Sequence, residues 1–177
     1  MPFSSRIATH DDIQSITALM SLSMGKLLKE VLDPEQVAKS HASMGLDTQL
    51  LDDQTYFLIF DENILVGCGG WSRRRTLFGG DHTAGRDNAL ADPKTEAAKI
   101  RAMYTHPDHI RRGIGKFLLK LGENAAKREG FKIIELGATA SGILLYEKCG
   151  YSVIKDLSVP DEDGTIVPII LMRKTLS

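Results

Sequence analysis

The segment His106-Pro-Asp-His-Ile-Arg-Arg-Gly-Ile-Gly-Lys116 constrains this chain more than any other. A strand, Lys99–Thr105, runs into it. A helix over about 113–129 leaves it, and a second strand, Phe131–Leu136, follows. The helix places Ile114, Phe117, Leu118, Leu121 and Ala125 on one face. Gly130 supplies its stop. A strand–helix–strand unit predicts two parallel strands joined by a right-handed crossover. The chain must therefore build a sheet containing a parallel pair, with a helix packed across it.

The turn inside that unit is an anion site by composition. Helix N-termini present unpaired N–H groups and a partial positive charge of roughly half an elementary unit. Gly113 and Gly115 let that backbone approach a phosphate closely, and Arg111, Arg112 and Lys116 add charge at the rim. A pyrophosphate is the natural guest. A Walker A loop is excluded, because Phe117 follows Gly115-Lys116 where Ser or Thr is required. A dinucleotide fingerprint needs a small residue where Leu118 stands, but Glu135 lies about 20 residues beyond Gly115, as that motif requires. A dinucleotide-binding oxidoreductase therefore stays open at this point.

The remaining pattern is mixed. Residues 3–8 read as a strand, and Thr9 to Asp12 as a capping box. A helix over about 11–23 follows, with Ile13, Ile16, Leu19 and Met20 at helical spacing. Asp33 and Pro34 open a second helix that is predicted to reach Gly45. Tyr56–Phe60 and Ile64–Ser72 form a hairpin, and Gly67, Gly69 and Gly70 mark a bulge or a close backbone approach. A short helix over Ser141–Cys149 precedes two last strands, Tyr151–Val159 and Thr165–Arg173. Residues 76–97 show no period and contain Gly79, Gly80 and Gly85. A loop of that length is functional or disordered, and the composition predicts few contacts and a mobile lid.

Composition excludes other classes. With 177 residues the chain suits one domain, taken here as 1–177. Hydrophobic residues at 42% and charged residues at 25% are those of a globular protein rather than a disordered one. Lys+Arg 22 against Asp+Glu 23 gives a formal charge of −1, so no global field exists to hold nucleic acid or an anionic membrane. Cys68 and Cys149 form no CxxC pair and no zinc spacing. Reduced thiols, no signal pattern and no run of about 20 apolar residues together predict a cytoplasmic protein.

The segment 99–151 resembles the GNAT superfamily of N-acetyltransferases. That family carries Arg/Gln-x-x-Gly-x-Gly/Ala after a strand and a His/Asp-Pro turn. Gly113 and Gly115 match, and Ile110 replaces the leading Arg or Gln. A second family segment, Tyr-Glu-Lys-x-Gly-aromatic, appears as Leu145-Tyr-Glu-Lys-Cys-Gly-Tyr151. The order of the other elements fits as well. The resemblance implies a single α/β domain with a mixed, mostly antiparallel sheet of six or seven strands and helices on both faces. It implies acetyl transfer from acetyl-CoA to a primary amine of a small molecule or peptide, and it leaves a homodimer open. A non-catalytic acyl-CoA-binding regulator is the alternative on the same fold.

Site residues follow from the same resemblance. The backbone of Met103, Tyr104 and Thr105 is implied to bond the pantetheine arm where the parallel strands splay. Arg111, Arg112, Gly113, Ile114, Gly115 and Lys116 are implied to cradle the pyrophosphate. Tyr146 is implied to lie near the CoA sulfur and to protonate the leaving thiolate. Ser141 or Thr139 occupies the region where family members carry Asn. Backbone N–H near Tyr104 is expected to hold the oxyanion.

The base that frees the acceptor amine is left among Glu96, Asp92, His106 and water. His82 and His109 are further histidines, and His106 reads as a turn residue. Arg73-Arg74-Arg75 reads as a solvated strand end rather than a phosphate contact. Arg101 on a central strand calls for a buried partner. Trp71 and Phe78 either wall the acceptor cleft or pack. Cys149 has no nearby His or Asp pattern, so nucleophilic catalysis through it is not expected.

Overall fold

The computed structural model describes residues 3–177. Seven strands form one sheet: β1 (Phe3–Ile7), β2 (Tyr56–Asp61), β3 (Ile64–Ser72), β4 (Ala98–Thr105), β5 (Ile133–Ala138), β6 (Ser152–Asp156) and β7 (Ile170–Thr175). Their order is β1-β2-β3-β4-β5-β7-β6. Every pairing is antiparallel except β4 with β5. The α/β class, the mixed sheet and the parallel pair expected from the sequence are all present.

Helices cover both faces because the strands alternate. Tyr56, Leu58, Cys68 and Tyr104 pack with α1 (Ile13–Leu27), α2 (Pro34–Ser40) and the short α3 (Gln49–Asp52). Ile59 and Val66 meet Ile114 and Leu118 of α4 (Ile114–Arg128) from the other side. Trp71, Ile100, Ile134 and Met172 continue that second core, beside α5 (Ile143–Lys148). Trp71 is thus a core residue, its ring edge-on to Phe131 at 6.1 Å. Among the described residues no helix is long and apolar enough to cross a membrane.

Two boundaries differ from the sequence reading. The helix opened by Asp33 and Pro34 ends at Ser40 rather than Gly45, and residues 41–46 form irregular turns. Between β6 and β7 the two strand ends pair only through a Leu157 N–H to Ile169 O bond and an isolated Pro160–Ile166 bridge, so the segment after Val159 joins no regular strand until Ile170. It reaches α2 instead: Gln36 Nε2 donates to Ile166 O, Thr165 Oγ1 to Glu35, and Lys39 pairs with Asp161 and Asp163.

The β3 glycines mark close approaches. A Cβ on Gly67 would lie 2.4 Å from Ile114 Cγ2, so Gly67 lets α4 settle onto the sheet. A Cβ on Gly70 would lie 2.2 Å from the Thr55 carbonyl oxygen. That neighbour is backbone and cannot swing away. Gly70→Ala is expected to destabilise the protein by about 3 kcal/mol, the upper range of overpacking costs. Denaturant unfolding of the variant measures this, and a cost under about 1 kcal/mol would show that the β2–β3 ribbon yields.

Candidate functional site

β4 and β5 pair only at Ala98 with Ile134 and Lys99 with Glu135. Beyond that they part, and a cavity of about 70 Å³ opens between them. Its walls include Met103 and Tyr104 of β4, Leu136 and Gly137 of β5, and Tyr146 of α5. Ser43–Gly45 and Leu77–Gly79 close its far end. Phe78 therefore does wall the cleft. The segment 41–46, expected as the end of a helix, and the segment 76–80, expected as loop, supply this half of the site.

β4 is bent where it lines the cavity. Ala102 adopts φ 50, in the left-handed region that costs a non-glycine residue of order 1 kcal/mol or more. The β3–β4 register skips between Cys68 and Gly70. The conformation is held from below: Tyr56 Oη donates to Ala102 O at 2.6 Å. Tyr104 Oη accepts from the Gly45 N–H at 3.0 Å, fixing the far end of the cavity to the strand. Burial pushes both phenols above their ordinary range, so they stay protonated.

The arginine–glycine turn follows β4. Arg111 has φ 60 and Gly113 φ 87, two left-handed residues bracketing Arg112. The first intrahelical bond of α4 runs from Phe117 N–H to Gly113 O at 3.0 Å. The amides of 114–116 therefore have no helix partner, and they carry the positive end of a 15-residue helix. Concave runs of backbone N–H groups built this way receive anions.

The side chains of the turn divide their roles. Arg111 is exposed. Arg112 turns toward the β2–β3 hairpin: its Nη1 donates to Asp61 Oδ2 at 2.7 Å, and its guanidinium lies over Phe3 at 5.1 Å. Ile114 is buried in the core. Gly115 is the crossing point of α4 and α5, since a Cβ there would lie 2.6 Å from Leu145 Cδ2. Gly115 thus has a packing reason as well as an anion-binding one. Thr105 ends β4 opposite Gly67 and stands outside the cavity wall. Ser141 is exposed beside Thr139, with the two hydroxyls 3.3 Å apart, and Thr139 lines the cavity.

Tyr146 is half-buried in the cavity wall, its ring against Gly142 and edge-on to Tyr151 at 6.1 Å. Desolvation, with Cys149 nearby, pushes its phenol up to about 12. Cys149 is itself raised by burial, and Cys68 is pushed up to about 12. Neither thiol is an activated nucleophile.

The side chains weighed as a base are engaged elsewhere. Glu96 pairs with Arg75 at 2.7 Å and accepts from the Asp92 N–H, which together hold its carboxyl below the ordinary range. Asp92 accepts from the Lys94 N–H, and His106 Nδ1 accepts from the Asp108 N–H. None of the three lines the cavity.

The arginine run is committed too: Arg73 to Glu129, Arg74 to Asp53 and Arg75 to Glu96. These pairs, rather than solvation, hold the strand end. Loop 76–97 is likewise not loosely held. Asp81 N–H donates to Leu46 O, Ala91 N–H to Arg73 O, and Thr83 Oγ1 to Ala42 O. Arg86 pairs with Asp47 at 2.7 Å. These bonds replace the few contacts expected from composition and set the loop against residues 42–47.

Arg101 has the buried partner its position required. Its Nη2 donates to Asp47 Oδ2 at 3.1 Å and to Gly79 O at 2.6 Å. Desolvation pulls its guanidinium below the usual range, which Asp47 opposes.

Comparison with known proteins adds the following. The sequence profile described as the acetyltransferase (GNAT) family matches residues 24–151. No curated protein matches the sequence. A GCN5-related N-acetyltransferase from Rhodopseudomonas palustris superposes with TM-score 0.68 at 17% identity, over 98% of this chain and 95% of that one. The PaiA N-acetyltransferase from Thermoplasma acidophilum, solved in complex with coenzyme A, gives 0.65 at 15%, over 99% of both chains. YncA, a putative acetyltransferase from Salmonella typhimurium solved with acetyl-CoA, gives 0.64 at 19%, over 100% of this chain and 95% of that one.

Proposed function

The chain belongs to the acetyltransferase (GNAT) family, and from that premise we propose that it moves an acetyl group from acetyl-CoA to a primary amine. One observation carries the reading: a cavity walled by Tyr146 opens where β4 and β5 part, and β4 runs on from it into the turn whose amides at 114–116 have no helix partner. The residues fit the donor. The amides of 113–116 suit a pyrophosphate, and the parted strand edges offer unpaired N–H and C=O groups to an amide-bearing arm. Two of the neighbouring folds were solved with coenzyme A or acetyl-CoA.

In this reading each residue has a defined task. Arg111 and the backbone from Arg112 to Lys116 hold the pyrophosphate, and the Lys116 ammonium adds charge at the rim. The Arg112 guanidinium holds the turn in place through Asp61 rather than meeting the phosphate. Met103 and Tyr104 present backbone to the pantetheine arm, and Thr105 continues that edge. A backbone N–H at the β4 bend holds the oxygen that gains charge as the amine attacks. The acceptor nitrogen loses a proton to water, since the three candidate side chains stand outside the cavity. The Tyr146 hydroxyl gives a proton to the departing thiolate. Ser141 acts through Thr139, positioning that hydroxyl at the cavity wall.

Calorimetric titration with acetyl-CoA, CoA and NAD tests the reading. Acetyl-CoA and CoA are expected to bind and NAD is not. A coupled assay for free thiol over an amine panel then tests transfer. NAD binding without CoA binding would overturn the reading in favour of a dinucleotide enzyme. CoA binding without thiol release from any amine would make the chain an acyl-CoA-binding regulator.

A further inference from the structure

The far end of the cavity carries an uncompensated positive charge. Arg101 and Arg86 both draw on a single Asp47 oxygen, Oδ2, at 3.1 and 2.7 Å. The Asp47 side chain is 2% exposed, and that of Arg101 is 1% exposed. Two guanidiniums against one carboxylate leave one formal charge over in a buried place. Asp81 approaches Arg86 only to 4.0 Å and is half exposed, so it screens Arg86 from outside rather than Arg101 from within. Burying an ion is costly unless it is paired and its donors are used.

Arg101 is also under-used. A guanidinium has five N–H donors. Among the described residues Arg101 donates only through Nη2, to Asp47 and to Gly79 O. It is the one charged side chain among those lining the cavity. The rest of the wall is backbone, hydroxyl and apolar, with Ser43, Met44, Phe78 and Ile169 around it. No carboxylate stands among these lining residues to hold an ammonium, and the guanidinium opposes one.

We propose, on the acetyl-transfer reading above, that the acceptor is a small amino acid whose carboxylate is received by Arg101. The guanidinium fork suits a carboxylate, and a charge-assisted bond in a desolvated wall discriminates strongly. Reach agrees. Arg101 and Met103 lie two positions apart on β4, on either side of the bend at Ala102, and both line the cavity. One small molecule spans the carboxylate site and the reacting centre. Size agrees as well: a cavity of about 70 Å³ suits a compact acceptor.

The test uses matched acceptors on the unmodified protein: a free amino acid, its carboxamide and its decarboxylated amine, over several side chains. Thiol release from acetyl-CoA is the readout. The free acid is expected to exceed both analogues at least tenfold in kcat/KM. Arg101→Gln is expected to remove that preference through KM, with acetyl-CoA affinity held. If this variant fails to fold, the matched series decides alone. Equal or faster turnover of the carboxamide or the decarboxylated amine overturns the proposal, as does an undiminished preference in folded Arg101→Gln. Acetyl-CoA binding with turnover of other amines but of no amino acid also overturns it, while leaving the acetyl-transfer reading intact. Loss of acetyl-CoA binding itself would overturn that reading, and this one with it.

Discussion

Tyr146→Phe is expected to lower turnover by roughly 10²–10⁴-fold, the usual contribution of a positioned general acid, with acetyl-CoA affinity little changed. The substitution is clean because packing, not hydrogen bonding, fixes the ring. Tyr146 lies against Gly142 and edge-on to Tyr151 at 6.1 Å, contacts that Phe retains. Its phenol is pushed up to about 12 by desolvation. The sign of the pH effect follows. The group donates while protonated, and it stays protonated until pH approaches about 12. The wild-type rate should therefore show no alkaline limb from this residue between about pH 7 and 10. Steady-state rates of both proteins across that range are the measurement. Full turnover in the Phe variant would reduce Tyr146 to a packing residue and leave the thiolate to water. A collapse of acetyl-CoA affinity together with turnover would make the hydroxyl a binding contact.

What the sequence disclosed, and what it hid, divides along the range of the interactions. The β4–α4–β5 unit was readable because a 3.6-residue period, Gly113 and Gly130 are local signals. The need for a partner to Arg101 was readable from its place on a central strand, but Asp47, 54 positions away, was not. The same limit explains loop 76–97. Its glycines and missing period describe the chain locally. Its order comes from Arg86 with Asp47, Asp81 with Thr48, and Thr83 with Ala42, all distant pairs. Helix α3 was missed because four residues carry no period. At the site, Gly115 was read as making room for a phosphate. Its contact with Leu145 gives it a packing role that no single segment reveals. A bulky residue there would therefore confound loss of binding with loss of fold.

Asp47→Ala is expected to cost about 3–5 kcal/mol of stability, because it leaves Arg101 and Arg86 buried without their shared carboxylate. Asp47 also accepts from the Gln49 N–H through Oδ1 at 3.0 Å, so the start of α3 loses a partner as well. For a domain of this size each kcal/mol corresponds to roughly 2–4 °C, which predicts a fall in melting temperature of the order of 10 °C. The loss should be local before it is global. Arg86 is one tie between loop 76–97 and the segment before α3, and Arg101 holds Gly79 O at 2.6 Å. Hydrogen exchange in the variant should accelerate first at Asp81, whose N–H is bonded to Leu46 O at 2.9 Å in the intact protein. Asp47→Asn separates charge from hydrogen bonding: it keeps an acceptor for Arg101 Nη2 and removes the negative charge that both guanidiniums face. A cost close to that of Ala would assign the stability to charge compensation. A cost near zero would show that the two arginines need an oxygen at position 47 but not its charge.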